Sequence, residues 1–369
     1  MSWRKPCAAG CVLKSNASSS NRVIDCGRQH SQSVKMLAQL PMHVIREQHE
    51  RRGNEEMKRH IRRNYVALFV ILTLAASAPL IMAQQVASST GVPVKMLVTV
   101  EVRHGHDVPV IYRDDVMVYQ GRDRVPVKDW VPLQGDHAGI ELFILLDDAA
   151  NTSLGSQLDE LRAFINSQPA TTAIAVGYMR NGTIQTVQNF TKDHSLAAKS
   201  LRLPVGSAAS GSPYFSVEDL IKHWPEGPVP REILMVSDGI DRFGNNGPDN
   251  PYVVSAIEQA QRAGILVFTI YTPGVGHYGH SYWRMNWGQN YLSQIADETG
   301  GEEYYLGLGA PVSFKPYLDD LSHRLAHQYM LTFLAKPQKK AGLQPVKLTT
   351  EVPNAELVSA DKVYVPAEP

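Results

Sequence analysis

The sequence predicts an α/β protein: a doubly wound, mainly parallel sheet with a small flanking β domain built from the N- and C-terminal segments. Short, nearly continuous apolar runs alternate with helical periods over residues 138–326. Strand-like segments without such helices lie on both sides, over 84–137 and 327–369. Strands that alternate with helices indicate a parallel sheet covered on both faces, because each parallel crossover needs a covering connection.

Residues 57–83 have the pattern of a secretory signal peptide. A basic region at 58–63 precedes an apolar, uncharged stretch at 66–82, and the small residue Ala83 precedes the expected cleavage point. A membrane span needs about 20 apolar residues, and this stretch is short for one. An uncleaved membrane anchor is the alternative to a cleaved signal.

The segment before the signal, 1–56, is polar, basic and without period. Signals belong at the start of a protein, so we interpret this segment as a mis-assigned start, with translation beginning at Met57. A disordered segment is the alternative. The sequence therefore predicts an exported protein that is periplasmic, secreted or associated with the cell envelope.

The formal net charge of zero conceals an asymmetry. Residues 1–83 contain 13 Lys and Arg against 5 Asp and Glu, whereas 84–369 contains 23 against 31, a net charge of −8. An acidic body does not attract phosphates or anionic lipids, so we expect no nucleic-acid partner, and membrane contact only through an uncleaved anchor. The three cysteines, Cys7, Cys11 and Cys26, all precede the body, which therefore has no thiol chemistry.

The two β segments contain short runs rich in β-branched and aromatic residues, separated by turn residues. In the N-terminal segment the predicted strands are 94–102, 115–119 and 125–130. In the C-terminal segment they are 328–334, 346–352, 355–357 and 363–365.

The central region predicts six strands, mostly apolar throughout, and six helices with apolar residues at helical spacing. The predicted strands are 140–146, 172–178, 183–190, 232–237, 265–271 and 303–306. The predicted helices are 154–165, 195–203, 216–224, 252–263, about 289–299 and 316–325. Asn181-Gly182 predicts a tight hairpin between the second and third strands.

Two of the predicted buried strands end in a carboxylate, at Asp147 and Asp238. Ligands of open α/β sheets bind beyond the carboxyl ends of the strands, so both residues belong to the expected functional edge. The alternative is that each residue only caps the loop or helix that follows it.

These features resemble the von Willebrand factor A domain, a Rossmann-like α/β domain. The matching pieces are 143–155, a buried strand ending in Asp before a Ser-containing loop, and 233–241, a strand ending in Ser-Asp-Gly. The motifs Glu298-Thr-Gly-Gly301 and Gln328-Tyr329, with the flanking β segments, are similar to the bacterial VWFA-related group described mainly from Acidobacteria. The resemblance covers roughly 95–366.

The resemblance implies a metal-ion-dependent adhesion site, with the pattern Asp-x-Ser-x-Ser, a distant Thr and a later Asp. In this sequence the implied ligands are Asp147, Asn151, Ser212 and Asp238, with Ser210 as the alternative to Ser212. The set is depleted because the two serines become Ala149 and Asn151. Mg²⁺ prefers about six oxygen ligands, and Thr152, Ser153, Asp148 and Asp241 are nearby oxygen donors that would compensate. The expected cation is Mg²⁺, Mn²⁺ or Ca²⁺.

A Gly-rich, aromatic segment at 274–287 follows the strand 265–271 and is expected as a loop on the same edge. We expect it to contact a protein partner, because exposed Trp and Tyr are frequent interface anchors. The weaker alternative is a zinc site that contains His277 and His280, for which no third ligand is evident. The other alternative is that the aromatic side chains only pack over the edge of the sheet. The candidate residues are His277, Tyr278, His280, Tyr282 and Trp283.

The sequence therefore predicts an exported, non-catalytic protein-binding module. If the metal site is occupied, a carboxylate of the partner is expected to bind the cation. One alternative is a structural cell-envelope subunit with a vestigial metal site. The other is a metal-assisted envelope hydrolase, which the missing general base and metal ligand disfavour. The motifs of serine hydrolases, zinc proteases and phosphate-binding loops do not occur in the sequence.

Overall fold

The computed structural model describes residues 91–367, except 106, 207–210, 245, 276–280, 305–306 and 308. The predicted signal peptide, the segment before it and the cysteines lie outside the described residues, so those expectations stay predictions. Among the described residues, no helix is long and apolar enough to cross a membrane.

Fourteen strands are found in the described part of the chain. In chain order they are β1 Val92–Val102, β2 Val116–Gln120, β3 Asp123–Val125, β4 Val127–Pro132, β5 Glu141–Asp147, β6 Ala173–Arg180, β7 Thr183–Thr191, β8 Arg231–Ser237, β9 Ile265–Tyr271, β10 Glu303–Tyr304, β11 Gln328–Ala335, β12 Gly342–Thr350, β13 Ala355–Ser359 and β14 Lys362–Val365.

Six α-helices accompany them in the same described ranges. They are α1 Leu158–Ser167, α2 His194–Lys199, α3 Pro213–His223, α4 Pro251–Ala263, α5 Tyr282–Thr299 and α6 Lys315–Ala326. Three short 3-10 helices cover Arg113–Asp115, Gly135–His137 and Thr152–Ser156.

The central sheet has the strand order β10-β9-β8-β5-β6-β7. Its neighbours pair in parallel except β7, which runs antiparallel to β6. The hairpin between them turns at Asn181 and Gly182, whose φ angles of 53° and 78° are the positive values that a tight two-residue turn requires. The predicted doubly wound, mainly parallel sheet is confirmed.

The helices cover both faces of this sheet. Side chains alternate along each strand, so Leu142 and Ile144 of β5 pack under α1, α2 and α6, whereas Phe143 and Leu145 pack under α3, α4 and α5. All four residues are buried. Burial on both faces explains why β5 reads as a continuous apolar run.

The flanking β domain consists of two four-stranded sheets with the orders β13-β1-β11-β4 and β14-β12-β2-β3. A separate apolar core lies between them and includes Val98, Val118, Phe333 and Val365. In the first sheet β1 pairs antiparallel with β11 along eight residues. The two ends of the body therefore form one domain, as predicted.

Two of the differences from the predicted element boundaries have a clear physical cause. The predicted strand 125–130 is divided at Pro126, which has no N–H for the ladder, so β3 ends at Val125 and β4 begins at Val127. The predicted loop at 274–287 is wrong over its last residues, because helix α5 begins at Tyr282 and not near 289. Met285, Gly288, Leu292 and Ile295 are its buried residues with helical spacing, among others.

Candidate functional site

The carboxyl edge of the central sheet brings four buried carboxylates to the loops after β5 and β8. Asp147 is the last residue of β5 and Asp148 follows it, and Asp238 and Asp241 follow β8, the parallel neighbour of β5. All four are buried. A buried carboxylate is unfavourable unless it is hydrogen-bonded and paired, so the partners of each one decide what this edge can do.

Asp147 is held by donors from within the protein. Its Oδ1 accepts from the backbone N–H of Ala149 at 2.9 Å, and its Oδ2 accepts from Ser237 Oγ at 2.8 Å. Burial and the neighbouring charge of Asp238 raise the pKa of Asp147 to about 6, although Arg242 and these hydrogen bonds oppose the rise. The charge of Asp238 therefore acts directly on the carboxyl group of Asp147.

Asp238 forms a buried, two-pronged ion pair with Arg242. Arg242 Nη2 lies 2.6 Å from Asp238 Oδ2, and Nη1 lies 3.2 Å from Oδ1. The Arg242 side chain is only 4% exposed. The same Nη1 donates to the carbonyl of Ile240 at 3.0 Å, and the Ile240 N–H donates to Asp238 Oδ1 at 2.9 Å. Both carboxylate oxygens of Asp238 are thus engaged inside the protein.

A second arginine pairs with the other carboxylate after β5. Arg202 Nη1 and Nη2 lie 2.6 Å and 3.0 Å from the two oxygens of Asp148, and the Val205 N–H donates to the same carboxylate at 3.1 Å. Asp241, in contrast, accepts from the Phe243 N–H at 3.0 Å and from Asn250 Nδ2 at 2.9 Å. Asp148 therefore connects the loop after β5 to the segment 202–205, whereas Asp241 stabilises its own loop.

The loop after β9 covers the acidic residues. The Asn151 N–H donates to the carbonyl of Pro273 at 2.9 Å, and the Val275 N–H donates to the carbonyl of Ala149 at 3.2 Å. Gly274 lies against the ion pair, since a Cβ at this position would be 1.9 Å from Asp238 Oδ2 and 2.9 Å from Arg242 Nη2. The Asp238–Arg242 pair is therefore enclosed by backbone.

The other residues of the predicted metal set have separate roles. Asn151 begins the 3-10 helix, and its side-chain oxygen accepts from the Ser153 N–H at 2.9 Å. Ser212 is buried at the start of α3, and its Oγ has no hydrogen-bond partner among the described residues. Asp147 and Ser212 line one small pocket. Thr152 and Ser153 are exposed, and Ser210 lies outside the described residues.

This arrangement does not fit a divalent cation. Mg²⁺ needs about six oxygen ligands around one point, and the Asp238 oxygens already receive a guanidinium. Among the residues that the structure describes, no group of three or more His, Cys, Asp or Glu side chains is placed to hold a metal ion. The sequence interpretation missed Arg242 and Arg202. The sequence signal for Arg242 was a basic residue four positions after Asp238, which directly follows β8.

The strand order of the central sheet and its single antiparallel edge strand agree with the fold that the sequence resemblance implies. The central domain has a von Willebrand factor A fold. Of the four residues that the sequence resemblance implies as metal ligands, Asp238 forms an ion pair with the guanidinium of Arg242. The narrower expectation, membership of the acidobacterial group, stays a prediction.

The sequence matches no family model and no curated protein. Solved structures similar to it include an aerotolerance-related membrane protein from Bacteroides fragilis, with 14% identity over 51% of this chain and 98% of that chain and a TM-score of 0.37. Another is mussel byssus proximal thread matrix protein 1 with a zinc-occupied MIDAS motif, with 12% identity over 52% and 47% of the two chains and a TM-score of 0.38.

The vWF domain of the type V pili tip protein Mfa5 from Porphyromonas gingivalis is also similar, with 11% identity over 53% of this chain and 95% of that chain and a TM-score of 0.35. At these identities and TM-scores, the likenesses assign no ligand, partner or activity to this A domain.

The predicted partner-binding segment is described only in part. His277, Tyr278 and His280 lie outside the described residues. Tyr282 and Trp283 open helix α5 and are 69% and 62% exposed. Trp283 contacts Trp287 edge to face, with ring centroids 5.7 Å apart.

A third exposed aromatic residue, Phe243, was missed by the sequence interpretation. It is 54% exposed and belongs to the loop after β8, directly after Arg242. One side of its ring contacts Phe215 at a centroid distance of 5.8 Å. Helix α5 packs on the same loop, because Gly288 leaves no room for a Cβ against the carbonyl of Asp238. Tyr282, Trp283 and Phe243, here called the aromatic rim, therefore belong to elements that pack on each other.

Proposed function

We propose that the chain is an exported, non-catalytic protein-binding module whose partner docks on the aromatic rim. The exposure of Tyr282, Trp283 and Phe243 carries this proposal. Large aromatic side chains are unfavourable in water and are enriched among the residues that dominate binding energies at interfaces. Their place on the edge of the sheet where α/β domains bind ligands supports the same role.

The engagement of the buried acids supports a non-catalytic role. A metal-assisted hydrolase would need carboxylates that reach a cation, a water molecule or a substrate. Asp147 and Asp238 are instead buried, and both oxygens of each accept hydrogen bonds from the protein itself. Cation-mediated capture of a partner's carboxylate, the finer expectation from the sequence, would require the Arg242 guanidinium to leave Asp238.

The export part of the proposal rests on the sequence alone. The basic region at 58–63, the apolar stretch at 66–82 and Ala83 favour cleavage before Gln84. Sequencing the N-terminus of the protein recovered from its source organism tests this. A mature N-terminus at Gln84 supports export with cleavage, and an intact 57–83 segment in the membrane fraction supports an anchor instead.

Site-specific photo-cross-linking tests the docking surface in the full chain. A photoreactive phenylalanine analogue replaces Trp283 or Phe243, and in a control it replaces Tyr112, an aromatic residue of the flanking β domain that is 70% exposed. We expect one discrete protein adduct from positions 283 and 243 in the source organism and none from 112. Adducts of equal yield from all three positions, or none from 283 and 243, contradict docking on the aromatic rim and favour a structural subunit.

A further inference from the structure

We infer that Arg242 is the resident cation of this A domain: its guanidinium holds Asp238 in place of a divalent metal ion, and the site becomes a metal site only when that guanidinium is removed. This inference concerns the interior of the sheet edge and does not depend on the proposed function. It rests on the geometry of one ion pair, its enclosure and the other oxygen donors at this edge of the sheet.

The first argument is the engagement of Asp238 on both oxygens. Arg242 lies 2.6 Å and 3.2 Å from them, and the Ile240 N–H adds a third hydrogen bond at 2.9 Å. A paired, planar guanidinium matches a carboxylate at two points and stays charged at any relevant pH. A cation at Asp238 would therefore have to displace a charge that the protein already supplies.

The second argument is enclosure. The Arg242 side chain is nearly inaccessible to water, and Gly274 lies directly over the ion pair. Backbone hydrogen bonds from Asn151 to Pro273 and from Val275 to Ala149 hold this cover in place. A hydrated cation therefore has no open position next to Asp238 while Arg242 is present.

The third argument is what would remain without Arg242. Asp147 and Asp238 would be two buried carboxylates, with the charge of Asp238 acting on Asp147 and no guanidinium to offset it. The Ser212 Oγ, buried and unpartnered among the described residues, lines the pocket that Asp147 also lines. Carboxylate and hydroxyl oxygens are ligands that Mg²⁺ and Mn²⁺ accept. Loss of the guanidinium is therefore expected to create a cation requirement.

Thermal unfolding of the full chain in EDTA and in millimolar Mg²⁺, Mn²⁺ or Ca²⁺ tests the inference. For the wild type we expect the same Tm in EDTA as in each cation. For Arg242→Met we expect the Tm in EDTA to fall by roughly 10 °C, because a buried carboxylate loses its partner. We expect Mg²⁺ or Mn²⁺ to restore several degrees of this loss, since a ligand that binds only the folded state stabilises it.

Two matched variants complete the test. Arg202→Met removes the arginine that pairs with Asp148 at the same edge, and we expect it to lower Tm without rescue by a cation. The double variant Arg242→Met with Asp238→Asn removes both charges, and we expect it to fold without a cation response. If Arg242→Met alone does not fold, we expect the double variant to fold, because it has no unpaired buried charge at position 238.

Three results would overturn the inference. The first is a saturable rise in wild-type Tm with Mg²⁺ or Mn²⁺, because it would mean that a cation binds beside Arg242. The second is an Arg242→Met variant that unfolds at the wild-type temperature or shows no cation rescue when it folds. The third is equal cation rescue of Arg242→Met and Arg202→Met, which would show that the response is not specific to this site.

Discussion

The indole ring of Trp130 stacks on the phenol ring of Tyr329, with ring centroids 4.4 Å apart and 9° between the ring planes. Trp130 belongs to β4 in the first β segment of the body, and Tyr329 belongs to β11 in the last one. The Trp130 Nε1 also donates to the carbonyl of Ile111 at 3.0 Å. The stack therefore joins segments that are distant in sequence into one β domain.

We expect Trp130→Ala to lower the free energy of unfolding by about 2–3 kcal/mol, since the half-buried indole loses its apolar contacts, its stacking partner and one hydrogen bond. Urea denaturation measures this change. Tyr112→Ala is the control, because Tyr112 is an exposed aromatic residue of the same domain and should cost less than about 0.5 kcal/mol. Equal losses in the two variants would contradict a structural role for the stack.

Glu232 on β8 predicts a loss of stability as the pH rises from about 4.5 to about 8. It is fully buried, and burial raises its pKa to about 8, although the side chain of Gln328 opposes the rise. The unfolded chain ionises this group near its ordinary value of 4.5, whereas the folded chain keeps it protonated. Its contribution is therefore fully present below about pH 4.5 and is lost as the pH rises toward 8, with a slope of up to about 1.4 kcal/mol per pH unit.

Glu232→Gln removes this titration and keeps the shape of the side chain. We expect the variant to be less sensitive to pH than the wild type between about pH 5 and 8, and more stable than the wild type at pH 8. Urea denaturation at several pH values measures the difference. Parallel pH profiles for the variant and the wild type would show that Glu232 is ionised in the folded chain.

Arg324 on α6 is surrounded by three carboxylates: Glu101 of β1, Glu302 before β10, and Asp320. Arg324 lies 2.7 Å from Glu302 and 2.8 Å from Asp320, and it also forms an ion pair with Glu101. Burial raises the pKa of Glu302 to about 7, although Arg324 lowers it, and the other carboxylates raise it further. One guanidinium therefore does not balance the three charges at neutral pH.

We expect Arg324→Met to lower Tm, and to lower it more at pH 8 than at pH 5, because the carboxyl group of Glu302 becomes charged as the pH rises through about 7. Glu302→Gln should have the opposite effect and raise Tm at pH 8 relative to the wild type. We expect both changes in Tm to be small, because the Glu302 side chain is about one-third exposed and solvent screens its charge. A loss for Arg324→Met that is the same at both pH values would contradict this charge balance.

The sequence was sufficient for the elements whose pattern is local. The continuous apolar run of β5 indicates a strand that is buried on both faces, and Asn181-Gly182 indicates a tight hairpin turn. The sheet and its antiparallel edge strand were therefore predictable from sequence. The partners of the buried acids were not. Arg202 is 54 positions from Asp148, and Arg242 reaches Asp238 only because the loop reverses at Gly239 with φ +66°.

The start of helix α5 was missed for a related reason. The segment before 289 alternates aromatic, polar and basic residues, so its helical period is weak in sequence and is set by packing on the loop after β8. Phe243 was missed because exposure of a single aromatic residue in a loop depends on the fold and has no sequence pattern of its own.

Gly274 offers the sharpest test of the enclosed acidic edge. A Cβ at this position would lie 1.9 Å from Asp238 Oδ2, so Gly274→Ala must move either the covering loop or the ion pair below it. We expect a loss of about 1–3 kcal/mol in the free energy of unfolding, as for overpacking elsewhere in a protein interior. Gly247→Ala is the matched control, since a Cβ there meets nothing within 4 Å and needs no unusual φ. Urea denaturation of both variants measures the difference. Equal stability of the two would mean that the loop after β9 does not rest on the Asp238–Arg242 pair, because a loop free to move would accept the added methyl group without loss.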